Sequence, residues 1–294
     1  MARTLAVVAG IGATAAAFAL FTRLQSPWVA LSWCALVPWL AVLERTPTLG
    51  GAVATAWALS SATTMAVYAW FGLAIAGYTG LPAAIVLLGL IAIGPVIEPQ
   101  FLLFAAARHL VRRSGAGPAR TALTGACVYV ASEWLIPKLF ADTMGHALYG
   151  SALWRQAADL AGVPGLTFVL LLGNEGVWAT LRAAAEPPPG RVRAAALPAL
   201  GVVLLIAALS AYGAWAYRAY GSPAPGATAV RAGIVQGNIS HYEDMAREIG
   251  TYDAVRRILD TYFTMSAQLL EQTAGGLDAI IWPETVYPTT FGTP

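Results

Sequence analysis

Long apolar runs fill most of the chain, and short polar loops separate them. Seven runs stand out, at residues 4–21, 27–43, 51–73, 81–107, 121–136, 165–181 and 194–217. Most of them reach the roughly 20 residues that a helix needs to cross a hydrocarbon core of about 30 Å. The second and fifth runs are short and flanked by prolines, which is typical of tilted, re-entrant or protein-covered segments. The pattern predicts a membrane all-α bundle of about seven transmembrane helices.

The pattern changes after residue 229. Residues 230–235 and 277–282 are short apolar runs of strand length. Between them, apolar residues in 251–273 recur at helical spacing and form one apolar stripe. The order strand, helix, strand predicts one β-α-β unit at the start of an α/β domain. We therefore divide the chain into a transmembrane bundle (1–218), a linker rich in proline and glycine (219–229) and the first part of an α/β domain (230–294).

Composition agrees with a lipid environment for most of the chain. Of the 294 residues, 58% are hydrophobic and only 11% are charged, whereas soluble domains carry about a quarter charged residues. The net charge of +2, without a basic stripe, argues against a nucleic-acid partner. The two cysteines, Cys34 and Cys127, lie in separate apolar runs, where a buried thiol is inert. Neither they nor the three histidines have metal-ligand spacing, so the sequence suggests no metal site.

Arginine placement predicts the orientation in the membrane. Nine arginines fall before the first run or after the second, fourth and sixth: Arg3, Arg45, Arg108, Arg112, Arg113, Arg120, Arg182, Arg191 and Arg193. The opposite side of the membrane has four basic residues: Arg23, Lys138, Arg155 and Arg218. By the positive-inside rule, the first group is cytoplasmic. The amino terminus, which carries Arg3, is therefore cytoplasmic. An odd number of spans then places the carboxyl-terminal domain outside the cytoplasm.

Three glutamates near or within the apolar runs invite a functional interpretation. Glu98 lies inside the fourth run, directly before the helix-breaking Pro99, and its position leaves structural and functional roles equally open. Glu133 and Glu175 lie near the ends of runs. For these two we expect a place at the membrane interface or an ion pair with a neighbour.

The string Ile280-Ile281-Trp282-Pro283-Glu284 offers the clearest candidate for catalysis. Open α/β sheets place functional residues at the carboxyl ends of their strands, and Pro283 ends the strand so that Glu284 projects beyond it. Position alone still favours a glutamate in a solvated turn.

Resemblance to a known family strengthens the functional interpretation of Glu284. The string Ile281-Trp282-Pro283-Glu284, after residues 234–239, resembles the start of a nitrilase (carbon–nitrogen hydrolase) domain with its α-β-β-α layers. Preceded by a seven-span bundle, it resembles the bacterial apolipoprotein N-acyltransferases. Further resemblances occur in order along the chain: residues 36–40, 133–135 and 156–162, and Asn174.

The resemblance implies a specific reaction in the bacterial cytoplasmic (inner) membrane. Such enzymes move an acyl chain from a phospholipid to the α-amino group of the diacylglyceryl-modified cysteine of an apolipoprotein, through a thioester on an enzyme cysteine. Glu284 matches the general base, and no metal or cofactor is implied. The family's lysine and nucleophilic cysteine follow the glutamate, and we assign neither role to Lys138, Cys34 or Cys127. We therefore expect the chain to the end at Pro294 to be inactive by itself.

Two alternatives follow from that expectation. The bundle is a non-catalytic membrane scaffold, or it is one subunit of a split membrane nitrilase whose second chain completes the domain. A transporter is a weaker alternative, because few charges lie at mid-membrane depth and the two halves of the bundle show no repeat.

Overall fold

The chain forms two compact units, Met1–Ser222 and Pro223–Pro294. The computed structural model describes residues 2–187, 190–223, 226–239 and 242–284, without the side chain of Glu243. The division between the units falls inside the proposed linker 219–229, of which residues 224 and 225 lie outside the described part.

The first unit is a bundle of helices. Its α-helices are α1 (Ala2–Phe21), α2 (Val37–Glu44), α3 (Leu49–Thr79), α4 (Ala83–Ile97), α5 (Gln100–Arg113), α6 (Pro118–Leu135), α7 (Ala158–Ala184) and α8 (Arg191–Tyr220). In the described part of this unit, 3₁₀ helices cover Trp28–Trp33, Met144–Gly150 and Trp154–Ala157. The second apolar run is divided between a 3₁₀ helix and α2, and the fourth is divided between α4 and α5.

Several of these helices fit a membrane. Within the described residues, four helical segments are long and apolar enough to cross one: Ala2–Phe21, Leu49–Thr79, Trp154–Ala184 and Arg191–Tyr220. The pair α4 and α5 makes a fifth if it is one span bent by 48°. The apolar segment Trp28–Glu44 is shorter, and α6 does not meet the same criteria. The chain is thus an integral membrane protein of mainly helical structure, and the count of seven spans stays a prediction.

Pro95 interrupts the hydrogen bonding of α4 shortly before the bend between α4 and α5. Pro95 has no N–H, so the carbonyl of Ile91 loses its helical partner. The Ser61 hydroxyl of α3 donates to that carbonyl at 2.9 Å instead. The neighbouring Ser60 hydroxyl donates to the carbonyl of Glu98 at 2.9 Å. Hydroxyl groups of α3 therefore satisfy one backbone acceptor that Pro95 frees within α4 and one at the bend, as a helix break in a membrane requires.

The Asn174 side chain likewise satisfies backbone groups of the second apolar run. Its buried Oδ1 accepts the N–H of Leu36 at 2.7 Å, and its Nδ2 donates to the carbonyls of Ser32 and Leu170 at 2.8 Å each. Leu36 and Ser32 lie where the chain passes from the 3₁₀ helix into α2 and the helical hydrogen bonds are interrupted. One side chain of α7 thereby allows an irregular segment to be buried.

Replacing Asn174 with leucine is expected to lower the free energy of unfolding by about 2–4 kcal/mol, because a buried N–H and a buried carbonyl lose their partners. Thermal unfolding of the purified chain in detergent measures the change. Thr180→Val on the same helix is the control, since the Thr180 hydroxyl bonds only the carbonyl of Gly176, in its own helix, at 2.8 Å. Equal losses in the two variants would contradict the proposed role of Asn174.

The second unit contains the predicted β-α-β arrangement. Strands β1 (Ala232–Ile234) and β2 (Ala279–Ile281) pair in parallel, with Gly233 opposite Ile280. Helices α9 (Tyr242–Ile249) and α10 (Thr251–Gln272) connect them, and α9 was not expected from the sequence. Assignment of this unit to the nitrilase class stays a prediction.

The described residues cover only one face of the two-stranded sheet. Val235 packs with Ile258 and Tyr262 of α10 in a small core, and Gly233 faces Leu269 so closely that a Cβ would lie 2.5 Å from its Cδ2. On β1 and β2, Ile234 and Ile281 are 74% and 49% exposed. Parallel sheets normally have both faces covered, so the exposed face of these two strands is unusual for a complete sheet.

Candidate functional site

Glu284 follows β2 at the carboxyl edge of the sheet. The N–H of Val235 donates to the carbonyl of Ile281 at 3.0 Å, which continues the pairing to the ends of both strands. Because the strands are parallel, the segments 236–238 and 282–284 leave the sheet at the same edge. The order of strands brings the predicted base to the edge where α/β proteins place their functional residues.

Both segments at this edge are held by α10. The indole of Trp282 donates to the Ser266 hydroxyl at 3.0 Å, and its ring lies 5.5 Å from that of Tyr262 and 5.1 Å from that of Phe263. The Tyr262 hydroxyl accepts the N–H of Gly237 at 3.2 Å. A Cβ at residue 237 would lie 3.0 Å from Tyr262 Cζ, so glycine fits this close approach. The aromatic contacts fix the start of the turn that carries Glu284.

The carboxylate of Glu284 is exposed and accessible. It makes no hydrogen bond or ion pair with any residue in the described part of the chain. Residues 223–294 contain neither a lysine nor a cysteine. Within residues 223–294, Glu284 is therefore accompanied by neither of the other two groups that the resemblance implies.

The predicted non-catalytic residues lie in the first unit. Cys34 is half-buried, and its thiol donates weakly to the carbonyl of Leu31. Cys127 is exposed on α6, so the expectation of a buried thiol is wrong for this residue. The run that contains Cys127 is apolar on all sides of the helix, so its sequence does not show which side packs against other helices. Packing alone decides that Cys127 faces outward.

Lys138, the only lysine of the chain, is buried among acidic side chains. Its Nζ lies 3.5 Å from Glu98 Oε2, 3.8 Å from Glu133 Oε1 and 3.4 Å from Asp142 Oδ1. It also donates to the carbonyl of Asp142 at 2.8 Å. Burial lowers the pKa of Lys138, but the three carboxylates outweigh that effect and raise it, so the lysine is charged. Glu98, whose role the sequence left open, pairs with this cation and accepts from the side chain of Gln100.

A small polar cavity of about 40 Å³ adjoins the lysine. Two buried oxygens in its wall, Tyr68 Oη and Gln100 Oε1, have neither a hydrogen bond nor an ion pair in the described structure. Such a cavity is large enough for water, which would satisfy these groups. We interpret the Lys138 cluster as a structural junction that ties the loop after α6 to the bundle. The only sequence feature that pointed to this cluster was a single lysine between acidic residues.

A second ionic network lies at the other end of the bundle. Arg108 donates to both oxygens of Glu175, at 2.6 and 3.2 Å, and to Glu44 Oε2 at 3.3 Å. Arg112 donates to the carbonyl of Glu44 at 2.8 Å, and Arg182 lies 3.0 Å from Glu44 Oε1. The expected pairing of Glu175 with a neighbour is present. The network joins α2, α5 and α7 across large distances in sequence.

Comparison with protein families identifies the bundle. Residues 9–175 match the family model described as the apolipoprotein N-acyltransferase N-terminal domain. The chain belongs to this family. In this N-acyltransferase family member, the residues of both ionic networks fall within the matched region, with the exception of Arg182. Glu284 lies beyond that region.

Relatives of the chain carry the same family name. It is 28% identical over 270 residues to the apolipoprotein N-acyltransferase of Bdellovibrio bacteriovorus, covering 89% of this chain and 46% of that protein. The enzyme of Rhodopirellula baltica is 28% identical over 298 residues (94% and 48%), and that of Geobacter metallireducens is 26% identical over 276 residues (89% and 48%). The chain spans about half the length of the curated relatives it matches. The predicted family is confirmed, and the role of Glu284 stays a prediction.

Proposed function

We propose that the chain is the amino-terminal part of an enzyme that N-acylates apolipoproteins, and that Glu284 is its general base. Family membership and the names of the relatives support the reaction class. The observation that carries the role of Glu284 is its place at the carboxyl edge of a parallel strand pair, in an exposed turn anchored by Trp282.

The proposed reaction has two halves. Glu284 takes the proton of a cysteine thiol, and the thiolate attacks the ester carbonyl of a phospholipid. A lysine stabilises the tetrahedral oxyanion, which collapses to a thioester and releases a lysophospholipid that takes up the proton. The α-amino group of a diacylglyceryl-modified apolipoprotein then attacks the thioester, giving an amide and the free thiol. The lysine and cysteine follow the glutamate in the family, so this chain contributes the base.

The proposed site lies outside the cytoplasm, at the inner membrane of a bacterium. The Arg3 side chain donates to the carbonyl of Arg45 at 3.3 Å, while Arg112 and Arg182 meet Glu44. Arginines from distant helices thus gather at one end of the bundle, which we assign to the cytoplasm. Seven spans, including the shorter segments Trp28–Glu44 and α6, would then place residues after Arg218 on the opposite side.

Acyl transfer to a diacylated lipopeptide tests the proposal. The assay compares the chain to Pro294, the chain extended by the coding sequence that follows it, and the extended form with Glu284→Gln. We expect the extended form to be active and Glu284→Gln to lower its rate by about 10²–10⁴-fold, which is the usual contribution of a positioned general base.

Glu271→Gln is the matched control, because Glu271 is an exposed glutamate of the same unit, at the end of α10. Its rate should be unchanged. Full activity of the Glu284→Gln variant would remove Glu284 from the mechanism. If no extension or added second chain gives acyl transfer, the scaffold alternative replaces the enzyme.

A further inference from the structure

A wide cavity of about 1120 Å³ lies between α6, α7 and α8 of the first unit. Both α6 and α8 pack against α7, but they hardly touch each other, so the space between them stays open. Leu123 of α6 and Leu197 and Leu204 of α8 line it and are largely exposed; Leu197 is 76% exposed. The cavity therefore opens on the apolar outer surface of the bundle.

One end of this cavity is polar and carries charges of both signs. Arg108, Arg112 and Arg182 line it together with Glu44 and Glu175, the members of the ionic network described above. The exposed Glu186 also borders it. Two buried nitrogens here, Arg112 Nε and Trp178 Nε1, have no hydrogen-bond partner in the described part of the chain.

The charge of this end of the bundle favours an anionic ligand. Nine arginines lie at or beside these helix ends: Arg3, Arg45, Arg108, Arg112, Arg113, Arg120, Arg182, Arg191 and Arg193. The acidic residues of the same end are Glu44, Glu175 and Glu186. The excess of positive charge comes from arginines beside the cavity, since the cavity lining itself holds three arginines and three glutamates.

We propose that this cavity binds one membrane phospholipid with an anionic head group. Its acyl chain lies in the opening between α6 and α8, and its phosphate lies near Arg112 and Arg182. Basic pockets between transmembrane helices on the cytoplasmic side bind anionic head groups in this way. The proposal concerns residues of the first unit only, and it holds whether or not Glu284 takes part in acyl transfer.

Native mass spectrometry of the full chain tests this site. The chain is purified in detergent, equilibrated with equal amounts of phosphatidylglycerol and phosphatidylcholine of identical acyl chains, and examined for retained lipid. We expect one phosphatidylglycerol to be retained in preference to phosphatidylcholine. Arg182→Gln should lower that preference about fivefold, the contribution of one arginine near an anionic head group, whereas Arg23→Gln at the other end of the bundle should not.

A second pair of variants tests the place of the acyl chain. Gly201 of α8 lines the cavity, and a Cβ there would meet nothing within 4 Å, so Gly201→Phe fills the opening without a backbone clash. Gly12 of α1 is equally open and lies outside the cavity, which makes Gly12→Phe the control. We expect only Gly201→Phe to abolish retention of both lipids.

Three results would overturn the proposal. Equal retention of the two lipids by the unaltered chain would exclude recognition of an anionic head group. Retention by Gly201→Phe at the level of the unaltered chain would place the lipid elsewhere. A second polypeptide found in place of the lipid, and lost in Gly201→Phe, would make the cavity a protein interface.

Discussion

Replacing Arg108 with methionine is expected to lower the free energy of unfolding of the bundle by about 3–5 kcal/mol, because it leaves a buried carboxylate without its cation. The Arg108 side chain is 5% exposed and bonds both oxygens of Glu175, itself buried. It also bonds Glu44, which links α5 to α2. Thermal unfolding in detergent measures the loss, and Arg113→Met, a variant of an exposed arginine at the end of α5, is the control.

The double variant Arg108→Met/Glu175→Met separates the net contribution of the ion pair to stability from the loss of stability when one partner is removed. Exchange of a whole buried pair for apolar side chains is often close to neutral. We therefore expect the second substitution to restore most of the stability that the first removes. A double variant as unstable as the sum of the two single variants would show that Arg108 and Glu175 act independently.

Lys138→Met is expected to have an effect of similar size, about 3–5 kcal/mol, because the lysine is the cation of three carboxylates. Its side chain is 6% exposed, and Glu98 and Glu133 are as deeply buried. Arg155→Met is the control: Arg155 is an exposed cation of the same connection between α6 and α7, so its loss should cost about 1 kcal/mol or less.

The Lys138→Met variant should also respond to pH in a defined direction. Above neutral pH, the buried carboxylates of Glu98 and Glu133 would repel one another with no cation between them. As the pH falls, protonation relieves this repulsion, so the folded variant takes up more protons than the unfolded chain and its stability rises relative to that of the unaltered chain. A difference in stability that is constant between pH 5 and 9 would contradict this account.

The nature and order of the main elements followed from local sequence features. Hydrophobic runs predicted helices for the bundle, because length and hydrophobicity are properties of one segment. Alternation of strand-like and helical patterns predicted the parallel β-α-β unit. The pattern missed α9 (Tyr242–Ile249), since eight residues give barely two helical turns of periodicity. It also could not identify the partners of irregular segments, such as Asn174 for the passage from the 3₁₀ helix into α2.

The sequence by itself determined the membrane character, the family and the position of Glu284 after the second strand. Tertiary structure alone decided which charges meet. Lys138 reaches Glu98 across 40 residues and Arg108 reaches Glu175 across 67, and helix packing brings those atoms within bonding distance. The cavity between α6 and α8 has the same origin, since it exists because two helices pack on α7 and not on each other. Hydrophobicity is a property of each local segment of the chain, whereas ion pairs and cavities depend on how distant segments pack.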